Sequence, residues 1–255
     1  MRSNKIKQIW RDGKTGTMGW LLLSHTFTAE MMARQGFDCL AIDLQHGTSE
    51  MSDVLPILQA ISQTDTVPIV RVGWNDPAAI MKALDLGAYG IIVPLINNSE
   101  EAKKAVSACR YPPVGIRSSG PLRAAHYGGD EYFSEANDEI IVMAMIETKE
   151  GLANLDEICA TPGLDAIYIG PADLSFALGQ HPRADNVDPV HLTTCDRILR
   201  AAHTHGIKAV MHCAGADFAA GALERGFDMV TLTTDLDSMI VGAQTQLKKL
   251  NEKQG

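Results

Sequence analysis

Four apolar stretches of this sequence end in side chains that can bind ions or move protons. CLAID ends in Asp43 and is followed three residues later by His46, and VPIVRV contains Arg71. IIVMAMIE ends in Glu147, and AIYIGPAD reaches Asp173. Barrel enzymes carry their catalytic groups at the carboxyl ends of buried parallel strands. The sequence therefore predicts that these five side chains share one site.

Glu147 and Asp173 are the predicted metal ligands. They lie one βα unit apart, which puts them on adjacent strands about 4.8 Å apart. Their hard oxygen atoms suit Mg²⁺ or Mn²⁺ and leave coordination positions open for a 2-oxo acid, whose enolate the cation would stabilise as a Lewis acid. The alternative is a salt-bridged Glu147 and an Asp173 that only caps the next turn. The occurrence of both after apolar strands favours the metal.

Arg71 follows the apolar run VPIV, so its charge would lie inside the mouth of the site and would require an anionic partner. There its guanidinium can donate to a keto oxygen and to the developing enolate. The alternative is an internal ion pair with Asp43 on the neighbouring strand. The two roles are compatible.

His46 is the candidate for moving a proton. The Asp43 carboxylate, three residues earlier, would fix the tautomer of the imidazole while the ring transfers a proton through a water molecule. The alternative is a structural histidine in a loop.

The wall of the same pocket is expected to contain both apolar and polar side chains. Met145 precedes Glu147 by two residues and therefore points to the same face of its strand. The predicted wall residues are Met145, His212, Gln45 and Trp20. Schiff-base chemistry would need a lysine at a strand end, whereas Lys208 begins its strand and Lys149 lies beyond Glu147. Metal-assisted enolisation is therefore preferred.

These side chains must be positioned by eight repeats of a strand followed by a helix, which predicts a (β/α)₈ TIM barrel of the α/β class. The predicted strands are 17–23, 38–43, 67–72, 89–94, 140–146, 164–170, 207–212 and 227–232. The predicted helices are 27–35, 51–63, 77–86, 99–109, 151–160, 188–204, 214–225 and 235–250. A doubly wound open sheet is the alternative, but the turn LLLSHTFTAE lacks the GxGxxG of a dinucleotide site.

One connection, residues 111–139, is much longer than the few residues usual between a helix and the next strand. Such length indicates either a functional or interface segment or a surface excursion. If the substrate is anionic, a local arginine, a metal or backbone amides must attract it, because the net charge is −9. Arg71 and, within this segment, Arg117 and Arg123 are the candidates.

The composition fits one barrel domain over 1–255, since such barrels take roughly 250 residues. The sequence has no basic stripe of the kind that binds nucleic acid, so nucleic acid is not an expected partner. It has no run of about 18 apolar residues and no signal-peptide pattern, so a membrane is not expected either. We expect a cytoplasmic protein. The five scattered cysteines form no CxxC pair and are expected to be reduced.

The sequence resembles the HpcH/HpaI aldolase family, the class II pyruvate aldolases, nearly from end to end. The resemblance is carried by GFDCLAIDLQHG, VRVGWND, GAYGIIVPLINNSEEAKKAV, RYPPVGIRS, MIETKEGLANLDEI and IYIGPADLS, in the family's order and spacing.

The resemblance implies reversible aldol chemistry between pyruvate, or hydroxypyruvate, and an aldehyde. It implies a divalent cation (Mg²⁺, Mn²⁺ or Co²⁺) on Glu147 and Asp173, Arg71 on the keto oxygen and Asp43 with His46 as the proton-moving unit. Backbone amides around Gly170, Ala172 and Asp173 would hold the substrate carboxylate. It also implies a homo-oligomer, a hexamer built from dimers, in which the 111–139 segment could bring Arg117 or Arg123 to a neighbour's substrate.

Two positions depart from the family pattern. Gln45 stands where glutamate is usual, and Met145 stands where many members have glutamine. These departures leave other readings open: a lyase of a CoA thioester resembling citrate lyase, an oxaloacetate decarboxylase, or a non-catalytic binding protein on the same barrel.

Overall fold

The computed structural model describes residues 1–254, and its centre is a closed barrel of eight parallel strands in chain order. This confirms the predicted (β/α)₈ fold. The strands are β1 (Gly16–Leu21), β2 (Cys39–Asp43), β3 (Val67–Arg71), β4 (Gly90–Val93), β5 (Ile141–Ile146), β6 (Ala166–Ile169), β7 (Lys208–His212) and β8 (Met229–Thr234).

The strands are apolar on both faces because each face is covered. Alternate residues point into the barrel, where Met18, Trp20, Met143 and Tyr168 belong to one buried cluster. The intervening residues pack outward against the surrounding helices in a second, larger cluster. A parallel sheet buried on both sides requires such continuous apolar runs.

Thirteen helices are present in residues 1–254. They are α1 (Lys5–Arg11), α2 (Thr26–Ala33), α3 (Met51–Ile61), α4 (Pro77–Asp85), α5 (Ser99–Cys109), α6 (Leu122–Gly128), α7 (Tyr132–Glu139), α8 (Lys149–Ala153), α9 (Leu155–Cys159), α10 (Pro171–Ala177), α11 (Pro189–Thr204), α12 (Ala216–Glu224) and α13 (Asp235–Gln254). None of them is long and apolar enough to cross a membrane.

Two helices that the sequence pattern did not predict lie at the two ends of the barrel. Helix α1 adds Ile6 and Trp10 to the cluster inside the barrel, so it closes the end opposite to the carboxyl ends of the strands. Helix α10 begins directly after β6 with Pro171 at its first turn, a position that suits proline because its missing N–H is not needed there. This short helix carries Asp173.

The 111–139 segment folds onto its own chain through α6 and α7. Arg117 is only 1% exposed and lies over the ring of Tyr111, and its Nη2 donates to Asp85 at 3.0 Å and to Tyr132 at 2.9 Å. Arg123 donates from Nη1 to the carbonyl of Leu86 at 2.6 Å. The expectation that these arginines attract the substrate is therefore wrong for this chain's own pocket, because both guanidinium groups are bound elsewhere.

The barrel closes between β1 and β8 with an irregular register. Met18 pairs with Thr231, but the next residue, Gly19, pairs with Thr233, so β8 contains one extra residue there. Just beyond β8, the Asp235 carboxylate accepts hydrogen bonds from the backbone N–H groups of Leu22 at 2.9 Å and Leu23 at 3.2 Å. The start of α13 is thereby attached to the carboxyl end of β1.

Candidate active site

A pocket of about 220 Å³ lies at the carboxyl ends of the strands, as expected for a barrel enzyme. Its lining comes from every strand except β4, or from the residues that follow these strands, together with the 178–188 loop. The lining residues are Trp20, Leu22, Asp43, His46, Arg71, Met145, Glu147, Gly170, Pro171, Ala172, Asp173, Ala184, His212 and Thr234.

Asp43 and Arg71 face each other in the β2–β3 register and form a two-pronged ion pair. Arg71 donates from Nε to Asp43 Oδ1 at 2.8 Å and from Nη2 to Oδ2 at 2.5 Å. Trp20 Nε1 also donates to Asp43 Oδ2, at 3.2 Å, and the guanidinium lies over the Trp20 ring. Although burial alone would raise the pKa of Asp43, Arg71 holds it below its usual value. The pair fixes the arginine while leaving Nη1 for a ligand.

His46 is exposed at the rim of the pocket. Asp43 Oδ1 accepts from the backbone N–H groups of Gln45 at 2.9 Å and His46 at 3.2 Å. Within residues 1–254 the His46 ring has no hydrogen-bond partner. The expectation that Asp43 fixes the imidazole tautomer is therefore wrong, because that carboxylate binds the histidine's backbone and Arg71 instead.

Glu147 is buried, and one of its oxygen atoms is held by an unusual backbone turn. Oε1 accepts from the N–H of Leu95 at 2.8 Å, and Leu95 has a φ of 55°, a left-handed value that is uncommon for a residue other than glycine. Burial raises the pKa of Glu147 to about 7, the Leu95 N–H opposes this rise, and the Asp173 carboxylate adds to it. The buried carboxylate therefore lacks a compensating positive charge in direct contact.

Glu147 and Gly170 are neighbours because Ile146 pairs with Ile169 in the β5–β6 register. A Cβ atom on Gly170 would collide with Oε2 of Glu147, so any side chain here would displace the Glu147 carboxylate from its position. Asp173, in the first turn of α10, is exposed and lines the same pocket. The structure thus brings the two carboxylates to one wall, although residues 1–254 contain no cluster of three or more possible metal-binding side chains.

His212 lies at the end of β7, on the wall across from Arg71. Its Nδ1 is 2.7 Å from the hydroxyl of Tyr168, which is also 2.7 Å from Oγ1 of Thr231. The edge of the ring meets Trp20, with the ring centres 5.0 Å apart. Burial and then the charge of Arg71 lower the pKa of His212 to about 4.

Most sequence-predicted residues meet in this pocket, including Met145 and Trp20, but Gln45 does not. Its side-chain oxygen is buried without a hydrogen-bond partner, away from the lining. Gln45 lies beyond the last residue of β2, and its side chain is not part of the pocket lining.

The sequence reasoning also missed several residues of the site. Thr234 was missed because β8 continues past the predicted end at 232, and Leu95 because nothing in the sequence signals its backbone conformation. Tyr168, two residues before Gly170 and so on the inner face of β6, could have been found by alternation. The other missed lining residues are Leu22, Pro171 and Ala184.

A closed eight-stranded parallel barrel with an acidic pair and a fixed arginine at the carboxyl ends of its strands defines a (β/α)₈ barrel enzyme. The chain belongs to the HpcH/HpaI aldolase/citrate lyase family, whose profile matches residues 16–241. It is a carbon–carbon lyase of the aldolase type.

The relatives agree with this assignment over nearly the whole chain. A hydroxypyruvate/pyruvate aldolase of Rhizorhabdus wittichii is 39% identical over 241 residues, which cover 94% of this chain and 96% of the relative. A 4-hydroxy-2-oxo-heptane-1,7-dioate aldolase of Klebsiella pneumoniae is 37% identical, with coverage of 95% and 92%. The crystal structure of a family protein from Burkholderia cenocepacia superposes with a TM-score of 0.91 at 31% identity, covering 98% of this chain and 100% of that one.

Proposed function

We propose that the protein catalyses the reversible cleavage of a 4-hydroxy-2-oxo acid to pyruvate, or hydroxypyruvate, and an aldehyde. The observation that carries this proposal is the meeting of Glu147, Asp173 and Arg71 in one pocket. In the cleavage direction the C3–C4 bond breaks, the C4 hydroxyl loses its proton to form the aldehyde, and the bonding electrons form an enolate. The enolate then takes a proton at C3.

The donor set fits a divalent cation. Glu147 Oε2 occupies the space that a side chain at Gly170 would take, and Asp173 supplies a second hard oxygen ligand on the same wall. Mg²⁺, Mn²⁺ and Co²⁺ are the candidates. A cation held there supplies Lewis-acid stabilisation for the enolate.

The remaining roles follow from the atoms of each group that are not already bound within the protein. Arg71, held by Asp43, donates its free Nη1 to the keto oxygen on which negative charge develops. The backbone around Gly170, Ala172 and Asp173 binds the substrate carboxylate. His46, at the exposed rim, exchanges a proton with the C4 oxygen through water.

Exchange of the pyruvate methyl protons in D₂O tests this function without an acceptor aldehyde. In the presence of Mg²⁺ or Mn²⁺, NMR is expected to show exchange with wild-type protein and at least about 100-fold slower exchange with Glu147→Gln. The matched control is Glu150→Gln, an exposed glutamate on α8, which should exchange at the wild-type rate. Undiminished exchange in Glu147→Gln, or no exchange by folded, metal-supplied wild type, would contradict the proposal.

We also propose that the chain works as a homo-oligomer built from dimers. Helix α13 extends from the barrel with its apolar side chains in solvent, including Ile240, Leu247 and Leu250. These residues share one side of the helix, since they are seven and three residues apart. An apolar stripe of this kind is typical of a surface that a partner covers.

A further inference from the structure

His212 occupies the half of the pocket that the proposed enolate chemistry leaves free. Arg71 is on β3 and His212 is on β7, and strands four apart lie across from each other in an eight-stranded barrel. With the 2-oxo acid held between Arg71 and Glu147, the aldehyde must occupy the side lined by Leu22, Ala184 and His212.

The imidazole is held in a fixed orientation. Tyr168, buried inside the barrel, occupies Nδ1 through its hydroxyl at 2.7 Å, and Thr231 holds that hydroxyl from the other side at 2.7 Å. Trp20 supports the ring by an edge contact. With Nδ1 occupied, Nε2 is the ring nitrogen left for a ligand, and it has no hydrogen-bond partner within residues 1–254.

The other polar atoms on this side of the pocket already have partners. Trp20 Nε1 donates to Asp43 at 3.2 Å. The Thr234 hydroxyl donates to the Asp237 carboxylate at 2.8 Å and accepts from the Asp237 N–H at 2.9 Å. Leu22 and Ala184 are apolar. His212 Nε2 is therefore the side-chain group available to recognise a polar substituent on the aldehyde.

The charge around the ring favours a neutral substituent. Burial and Arg71 lower the pKa of His212 to about 4, so the ring is uncharged near neutral pH, while Asp43 and Asp237 bring negative charge towards it. The single phenolic proton of Tyr168 can point to Nδ1 or to Thr231, which lets Nε2 either donate or accept. A hydroxyl group matches both properties, whereas a carboxylate would find no positive charge on the neutral imidazole to balance its own.

We propose that His212, positioned by Tyr168, is the specificity-determining residue that selects acceptor aldehydes bearing a hydroxyl group next to the carbonyl carbon. This inference rests on the proposed aldol function. Glycolaldehyde and propanal are a matched test pair, since they differ only by a hydroxyl in place of a methyl group.

The experiment measures kcat/KM for both aldehydes with pyruvate as the common donor, and takes their ratio. His212→Phe keeps a ring of similar size without Nε2, and is expected to lower the glycolaldehyde-to-propanal ratio by about five- to tenfold, the effect of one neutral hydrogen bond. His212→Gln places an amide near the position of Nε2 and should retain most of the ratio. An unchanged ratio in a folded His212→Phe variant overturns the inference.

If circular dichroism shows that His212→Phe does not fold, a second variant tests the same inference. Tyr168→Phe removes only the hydroxyl that holds Nδ1, and it too should lower the ratio; an unchanged ratio there overturns the inference. Deuterium exchange of pyruvate by the wild type separates the two claims. Exchange without a His212-dependent ratio rejects only the acceptor selection, whereas loss of exchange rejects the aldol function itself.

Discussion

Both carboxylate oxygens of Asp43 are already occupied by hydrogen bonds. Its two oxygen atoms accept from Arg71, from Trp20 and from the backbone N–H groups of Gln45 and His46. A carboxylate so fully bonded, with its pKa held below the usual value, is a poor proton acceptor. Its hydrogen bonds fix the position of Arg71, which we propose to bind the substrate.

The ion pair is therefore expected to contribute strongly to stability. Asp43→Asn should lower the free energy of unfolding by about 3 kcal/mol, because it leaves a buried guanidinium unpaired and turns an amide towards backbone N–H groups. Urea denaturation measures this loss. Glu30→Gln, which breaks the exposed pair with Arg34, should change stability by at most about 0.5 kcal/mol. A loss in Asp43→Asn no larger than in this control would argue against the anchoring role.

The raised pKa of Glu147 predicts an unusual pH dependence in metal-free protein. The folded state binds this proton more tightly than the unfolded state, so the contribution of Glu147 to stability falls as pH rises towards its folded pKa of about 7 and stays lost above it. Between about pH 5 and pH 8, wild type should lose roughly 2 kcal/mol relative to Glu147→Gln. Paired denaturant titrations across this range measure the difference, and parallel curves would show that the pKa is not raised.

Among the elements, the β4–α5 loop (94–98) positions Glu147. Asn97 donates to the carbonyl of Leu95 at 2.9 Å and also contacts the Thr148 hydroxyl, so it supports the turn whose N–H binds Glu147. Its neighbour Asn98 instead caps α5 by accepting from the Glu101 N–H at 2.9 Å.

This arrangement predicts different effects for two adjacent asparagines. Asn97→Ala should weaken Mn²⁺ binding by about tenfold, as expected when a group that orients a metal ligand is lost. Asn98→Ala should cost about 1 kcal/mol of stability through the lost helix cap and leave Mn²⁺ affinity unchanged. Calorimetric titration with Mn²⁺ and thermal unfolding separate the two; equal affinities in both variants would contradict the role of the loop.

The sequence predicted the strands and the main site residues because both depend on local pattern. Glu147, Arg71 and Asp43 directly end, or follow, apolar runs, and the alternation of strand residues correctly placed Met145 beside Glu147. The failures have non-local causes. Arg117 is buried because Tyr111 and Tyr132 approach it in the folded chain, which residue order does not reveal.

At the scale of the whole molecule, the exposed apolar stripe of α13 is the feature that the isolated chain explains least. If it mediates assembly, the double substitution Ile240→Glu with Leu247→Glu should reduce the mass seen by sedimentation velocity, since it places charge on the apolar stripe. Thr245→Glu with Lys249→Gln makes the same change in charge on the opposite side of the same helix and should leave the mass unaltered. A wild-type monomer, or equal masses for both double variants, would count against assembly through α13.

The extra residue in β8 is a spacer, which takes no part in strand pairing but determines which threonine lies opposite Trp20. Because of it, Thr234 rather than Thr233 pairs with Trp20, faces the pocket and leads into the Asp235 attachment of α13 to β1. Deleting Leu232, which has no strand partner between Thr231 and Thr233, would leave Gly19 opposite Thr233 and Trp20 opposite Thr234, so the inward-facing side chains and the start of α13 would be kept. A deletion at this one position should therefore be tolerated much better than a deletion within the paired residues Met229–Thr231, which would change the residues that pair with β1 and β7.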